Sequence, residues 1–438
     1  MRRREFLTGL GLTAAAGALV GCKRERGPEP LVFAHGKHPR YAFLSEIVHR
    51  FETENPDVRV REVVLPASSD EMHQFFVINL GAGSHEFDVL DLDVIWVPEF
   101  ARAGWLEDLT PHIGPAELEP LNAAARKADR LDGRLYAVPW FVDAGVLYYR
   151  RDLLEKYRYA PPVTYPELVQ QAKRIQAGER DPGLAGFIWQ GMQYEGLVCA
   201  ALEFIRGNGG EVLRDGNRVA LGERATLDAL GFMDDLIRRH GVTPPLVSTL
   251  VEESSRHIFQ SGRAVFLRNW PYAWRLLNQR DSPVAGRAGL TLVPHFPGHV
   301  SAPTLGGFHL GVNARSRMKD AAIRFLRFLT SLRTQKEIIQ SVGVLAAHTG
   351  VYQDAEVQAA MPQLAEIAPA LERVQPRPVT PYYRMISQIL QPELSAVVTD
   401  IRSPEEAMRI ATQQIERVLA VGAQRVASFN SSSGPASA

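Results

Sequence analysis

The chain has 438 residues, 45% of them hydrophobic, and carries 49 Lys and Arg against 49 Asp and Glu. That balance lacks the basic excess on which nucleic-acid binding draws, and the length allows a core large enough to fold without cross-links. Of the two cysteines only Cys199 lies in the body, so no internal disulfide is expected there.

Three arginines open the chain and precede an apolar, small-residue run from Phe6 to Gly21 that ends at Cys22. A spanning helix needs about 20 apolar residues, so residues 1–21 read as an export signal instead. The order Arg3, Arg4, Glu5, Phe6, Leu7 resembles the twin-arginine export motif, and Leu19-Val20-Gly21-Cys22 resembles the bacterial lipobox, whose Cys is acylated and becomes the new N-terminus. An ordinary cleavable signal is the alternative. Under the lipobox reading Cys22 tethers an exported protein to the outer face of the cytoplasmic membrane or in the periplasm, and residues 22–30 form a polar tether. Loss of the signal removes three Arg and one Glu and leaves a net charge of −2.

Strand-like and helical runs then alternate, the pattern of an α/β protein. LVFA at 31–34 precedes a helix with Leu44, Ile47, Val48 and Phe51 at i, i+3, i+4 and i+7. VRVREVVL at 58–65 precedes a second helix around Met72 to Leu80, and FDVLDLD at 87–93 is a third strand ending in acidic residues, where an α/β sheet presents its ligand edge. Residues 136–154 pass through two extended pieces into a helix, which suits a chain crossing between lobes. Thr164 and Glu167 have capping-box spacing, and residues 184–267 read as a second α/β unit with a hairpin between 206 and 221. LGGFHLGV at 305–312 is extended and leads to a helix with Ala322, Phe325, Leu326 and Leu329. A last helix starts at Ser403, with Pro404 at its first position, Glu406 completing a capping box, and a stripe of Met408, Ala411, Ile415 and Leu419. Residues 428–438 are low-complexity and expected to be disordered.

LRNWPYAW, residues 267–274, crowds Trp270, Tyr272 and Trp274 around Pro271. Those spacings do not make one helix face, so a turn or helix start is expected, its rings either anchoring a loop or lining a cleft. Enzyme signatures are absent: no HExxH, GxSxG, Walker A loop or CxxC occurs. His35, His38, His295, His299 and His309 match no standard metal spacing, so neither metal nor cofactor is expected. Asp91 and Asp93 share one side of a strand and read as binders before an acid/base pair.

DLDVIWVPEFARAGWLEDL (91–109), GRLYAVPWFVDAGVLYYRRDLL (133–154), YEGLVCAALEFIRGNGGEVL (194–213), RNWPYAW and TLGGFHLGV (304–312) resemble, in order and over most of the chain, family 1 of the extracellular solute-binding proteins of bacterial ABC transporters. The similarity is nearest to the trehalose/maltose branch. It implies a monomer of two α/β lobes, here 31–142 with 304–350 and 143–303 with 351–427, that close over a sugar, without catalysis, and deliver it to a membrane permease pair with its ATPase. By the same resemblance Asp93 and Asp143 bind hydroxyls, with a hinge hydrogen bond as the other role for Asp143, and Trp140 stacks on a sugar face. Trp270 and Tyr272 become cleft residues, while Trp274 packs inward. Gly306 and Gly307 bring backbone N–H groups close to the ligand, and Arg377 binds sugar, with Arg384 as its substitute. Trp189 either projects from the second lobe or packs in its core, and Glu195 either touches ligand or caps a helix. Phe308 stands where the family usually has Trp. His35 and His38, in the basic loop HGKHPR, make an anionic solute such as an acidic sugar or glycerol phosphate derivative the alternative ligand. A surface-tethered carbohydrate-active enzyme is the third reading.

Overall fold

The computed structural model describes residues 29–214 and 218–432. The signal, Cys22 and most of the tether lie outside the described residues. Ten strands build two sheets. β1 (Leu31–Gly36), β2 (Val60–Leu65), β3 (Val89–Asp93) and β4 (Ala137–Ala144) come first. β5 (Val146–Arg150), β6 (Ala185–Ile188), β7 (Ala264–Asn269) and β8 (Ala288–Leu292) follow, and β9 (Leu305–Val312) and β10 (Leu345–Ala346) return to the first sheet. The first sheet has the order β10-β4-β9-β3-β1-β2 and the second β8-β5-β7-β6.

β1 pairs in parallel with β2 and β3, because the helices α1 (Leu44–Glu54) and α2 (Ser69–Gly81) carry the chain back each time. The face expected for α1 is buried at Leu44, Ile47, Val48 and Phe51. β9 runs antiparallel to both β3 and β4, with Phe308 opposite Asp93 and Gly306 opposite Asp143. The C-terminal ends of β3 and β4 and the start of β9 therefore meet on one sheet edge. In the second sheet β6 and β7 are parallel, so both deliver their C-terminal ends, at Trp189 and Trp270, to one side.

Only Gly145 separates β4 of one sheet from β5 of the other, and residues 293–304 lead back from β8 to β9. α3 (Tyr165–Glu179) opens with the expected reciprocal cap: Glu167 N donates to Thr164 Oγ1 at 3.4 Å and Thr164 N to Glu167 Oε2 at 3.1 Å. α4 (Glu195–Gly207) is almost wholly buried in the second lobe, and α5 (Glu252–Gln260) enters just before β7. α6 (Lys319–Thr330) and α7 (Leu332–Val342) cover the first sheet, whereas α8 (Leu364–Arg373) packs on β8. α9 (Tyr383–Val398) and α10 (Pro404–Ser432) complete the chain on the second lobe. Of the tail expected to be disordered, residues 428–432 belong to α10, which runs to Ser432 because Ala, Arg and Gln, all good helix formers, carry its repeat past Leu419, and residues 433–438 lie outside the described residues. Among the described residues no helix is long and apolar enough to cross a membrane.

Candidate functional site in the cleft between the lobes

A cavity of about 290 Å³ lies between the two sheet edges. Asp93, Asp143, Gly306, Gly307, Phe308 and His38 line it from the first lobe, Trp270, Tyr194, Glu195, Glu252 and Glu253 from the second, and Arg377 from the segment between α8 and α9.

Asp93 ends β3 and is 7% exposed. Arg377 Nη2 donates to its Oδ1 at 2.6 Å, and Arg377 Nη1 donates to Glu195 Oε1 at 2.9 Å, so one guanidinium bridges carboxylates from both lobes. Burial opposes the charge of Arg377, but Asp93 and Glu195 outweigh it and hold the guanidinium more firmly protonated than usual. Glu195 is the first residue of α4, where an acid favours the helix dipole, yet it also accepts from Tyr383 at 2.8 Å and from the Ser387 hydroxyl. Burial raises its pKa against the pull of Arg377 and Ser387.

Trp270 follows β7 in a turn and is 9% exposed, with Arg268 4.0 Å from its ring centroid and its Nε1 donating to Glu252 Oε1 at 3.4 Å. Opposite it, a Cβ built on Gly306 would lie 3.1 Å from Trp270 Cζ3, so the bare glycine makes room for the indole. Gly307 has φ +132°, and its Cβ would stand 2.3 Å from the Phe141 carbonyl oxygen. Only glycine fits there.

Four expected site residues do not line the cavity. Trp140 is fully buried in the first lobe, stacked on Phe141 at 4.2 Å and on Tyr41 at 5.8 Å, because every residue of β4 is buried and both strand faces belong to the core. Trp189 is fully buried in the second lobe near Phe204. His35 sits inside β1 with Nε2 3.2 Å from Glu62 and Nδ1 3.1 Å from the Gly36 carbonyl. Tyr272 backs the wall: it donates to Glu253 at 2.6 Å and meets the edge of His38 at 4.8 Å, a ring contact across the cleft. Arg384 pairs with Asp70 of α2 at 2.5 Å, and Trp274 is half-buried against the core.

Glu252, Glu253, Tyr194 and Tyr41 line the cavity without having been singled out. The paired acids of LVEESS open α5 and have a local reason to be there, which hid them; Tyr41 follows the HGKHPR loop and donates to Asp91 at 2.5 Å. Among the described residues no group of three or more His, Cys, Asp or Glu is placed to hold a metal ion.

The profile of the family described as "Bacterial extracellular solute-binding protein" matches residues 35–336. A probable ABC transporter-binding protein of Deinococcus radiodurans is 35% identical over 82% of this chain and 86% of its own. The mannitol-binding protein of Pseudomonas aeruginosa is 25% identical over 94% of this chain and 96% of its own. Among solved structures, maltose-bound MalE3 of T. maritima superposes with a TM-score of 0.85 at 39% identity, covering 89% of this chain and 99% of that one. With two lobes, a cleft and a profile match over more than half its length, the chain belongs to the bacterial extracellular solute-binding proteins.

Proposed function

We propose that the protein is an exported receptor, tethered through Cys22, that captures a neutral sugar or polyol in the interlobe cleft and presents it to an ABC permease and its ATPase. The ligand leaves chemically unchanged. The observation that carries the reading is the pairing of an indole face at Trp270 with carboxylates at Asp93, Asp143 and Glu195 around one small cavity. A pyranose has apolar C–H faces and a hydroxyl rim, and rings with charged acceptors match both. Similarity to a maltose-bound and a mannitol-binding protein supports the same class. The cavity of about 290 Å³ is at the small end of ligand sites, which run from about 300 to 1,000 Å³. That size suits a polyol, a monosaccharide or a disaccharide such as maltose or trehalose.

Five carboxylates line the cavity, and Arg377, already held by two of them, is the one Lys or Arg among the lining residues. An acidic sugar or a glycerol phosphate would meet like charge there, so the neutral ligand is favoured over the anionic one.

The lobes are proposed to divide near the expected boundaries at 142 and 304, with the third crossing placed beyond 350. The helix Ala355–Ala360 packs on α7 of the first lobe, and α8 packs on β8 of the second. Closure about such crossings needs dihedral changes at only a few residues. Calorimetric titration with maltose, trehalose, mannitol, glucuronate and glycerol phosphate, at low and high salt, tests the reading. Salt-insensitive binding of a neutral solute is expected; binding of the anions alone, weakened by salt, would overturn it.

A further inference from the structure

Two of the chain crossings between the lobes lie side by side, with the segment after α8 paired beside them. Gly145 N donates to Thr304 O at 3.4 Å, Leu305 N to Gln375 O at 2.7 Å and Gln375 N to Pro303 O at 2.8 Å. One face of α4 runs along them. Cys199, Glu203 and Arg206 are spaced four and three apart and so share that face. Cys199 O accepts from Thr304 Oγ1 at 3.0 Å, Glu203 Oε1 accepts from Thr304 N at 3.2 Å, and Arg206 Nη1 donates to Gln375 O at 3.3 Å. A Cβ on Gly145 would fall 1.8 Å from Glu203 Oε1, so the Glu203 carboxylate touches two crossings at once.

Its remaining partner points toward the ligand site. Arg268 donates to Glu203 through Nε at 2.8 Å and Nη2 at 2.6 Å, and through Nη1 to Gln190 Oε1 at 3.0 Å. Both side chains of the pair are almost fully buried. The guanidinium so fixed is the one that lies 4.0 Å from the Trp270 ring centroid, and Trp270 walls the cavity.

We propose that Glu203 is a positioning residue: through Arg268 it sets the plane of the Trp270 ring and ties that plane to the crossings at Gly145 and Thr304. A two-point carboxylate pair fixes a guanidinium in orientation as well as in place, and a planar cation on an indole face transmits that orientation to the ring. When the lobes rotate, Thr304 N moves against the carboxylate that holds Arg268, so the stacking surface and the lobe angle change together. No contact between Glu203 and ligand is required.

The affinity part of this inference rests on the sugar-receptor reading; the ring position does not. Glu203→Gln keeps the shape and the acceptor for Thr304 but removes the charge, Arg268→Lys keeps the charge but not the plane, and Glu203→Asp keeps the charge on a shorter arm. The Trp270 contribution to near-ultraviolet circular dichroism is obtained by subtracting the Trp270→Phe spectrum, without ligand, and binding is titrated with maltose and mannitol. Glu203→Gln and Arg268→Lys are expected to alter the Trp270 signal and weaken binding by about tenfold, the worth of one well-placed ring contact, with partial recovery in Glu203→Asp. Folded variants that lose thermal stability but keep the native Trp270 signal and affinity would show a structural pair only and overturn the proposal. If the native protein binds neither probe, trehalose and monosaccharides replace them in the titration; if none of these binds, the sugar reading fails while the Trp270 signal still decides the positioning role. If Glu203→Gln does not fold, Arg268→Lys and Glu203→Asp give the same decision.

Discussion

Arg377 Nη2 donates to Asp93 Oδ1 at 2.6 Å, and the bond joins the last residue of a first-lobe strand to a guanidinium that the second lobe holds through Glu195. All three side chains are at least nine-tenths buried. Removing the shared cation leaves two carboxylates without their counter-charge in a low-dielectric cleft. Arg377→Met is therefore expected to destabilise the protein by about 3–5 kcal/mol, the usual consequence of breaking a buried ion pair from one side. Urea unfolding of both proteins gives the difference; a loss below 1 kcal/mol would mean that the cleft is wetter than its geometry implies.

Asp93→Asn separates binding from stability. The amide still accepts from Arg377 and Ile95 N, and Arg377 keeps Glu195, so the fold should lose less than in Arg377→Met. A ligand hydroxyl that donated to an ionised acceptor now meets a neutral one. Hydrogen bonds to charged groups are worth about 1.5–3 kcal/mol against about 0.5–1.5 kcal/mol for neutral ones, so a sugar bonded there should lose about 1–1.5 kcal/mol and bind roughly 5- to 13-fold more weakly. Unchanged affinity would remove Asp93 from the site.

The two adjacent glycines should fail differently. Gly307→Ala forces a Cβ onto the Phe141 carbonyl at a φ of +132°, and strain of this kind costs about 1–3 kcal/mol of stability. Gly306→Ala meets the Asp143 Cβ and the edge of Trp270, both at 3.1 Å and both on cavity-lining residues, at a smaller overlap than at Gly307, so affinity should fall more than stability. Thermal melts and titrations on the pair check the contrast, and it would be lost if both variants only melted earlier.

The architecture was legible where one physical signal was strong. α1 was readable from its i, i+3, i+4, i+7 stripe, α3 from its reciprocal cap, and the crossing at 136–154 from two extended runs in succession. Asp93 was readable as a cavity residue because it ends a strand, where an α/β sheet opens to its cleft, whereas Trp270, in the turn after β7, was placed in the cleft by the family resemblance alone. Trp140 misled because β4 is buried on both faces, so no alternation tells a core ring from a cleft ring. Glu252 and Glu253 were invisible for the opposite reason: acids at a helix start already have a local explanation, and only the packing of α5 beside β7 brings them to the cavity.

His35 offers a pH test one layer behind the cavity wall at Tyr41. Burial works against its charge, but the bond to Glu62, helped by Asp91 and the Gly36 carbonyl, raises its pKa above the ordinary 6.5. A histidine whose folded pKa is raised contributes stability that is fully present below the unfolded value and lost as pH rises through the folded one. The melting temperature should therefore decline from about pH 6 upward by a component that Glu62→Gln removes, since burial without the carboxylate favours the neutral ring. An identical decline in Glu62→Gln would assign the slope to other groups.

The three tryptophans first considered for the ligand site can be told apart by light. Trp140 and Trp189 are wholly buried, one in each lobe, and Nε1 of both lacks a hydrogen-bond partner among the described residues. Trp270 lines the cavity, its indole N–H directed at Glu252 and its ring on Arg268. A solute that seats on Trp270 replaces water beside one indole only, so ligand-induced fluorescence change should vanish in Trp270→Phe and persist in Trp140→Phe and Trp189→Phe. The latter two should instead lose stability, by up to about 3 kcal/mol for a partly filled core cavity, with affinity within a factor of about two of the native protein. A fluorescence response that survives in Trp270→Phe and disappears in Trp189→Phe would mean that the ligand acts through the core of the second lobe, and the stacking role of Trp270 would have to be abandoned.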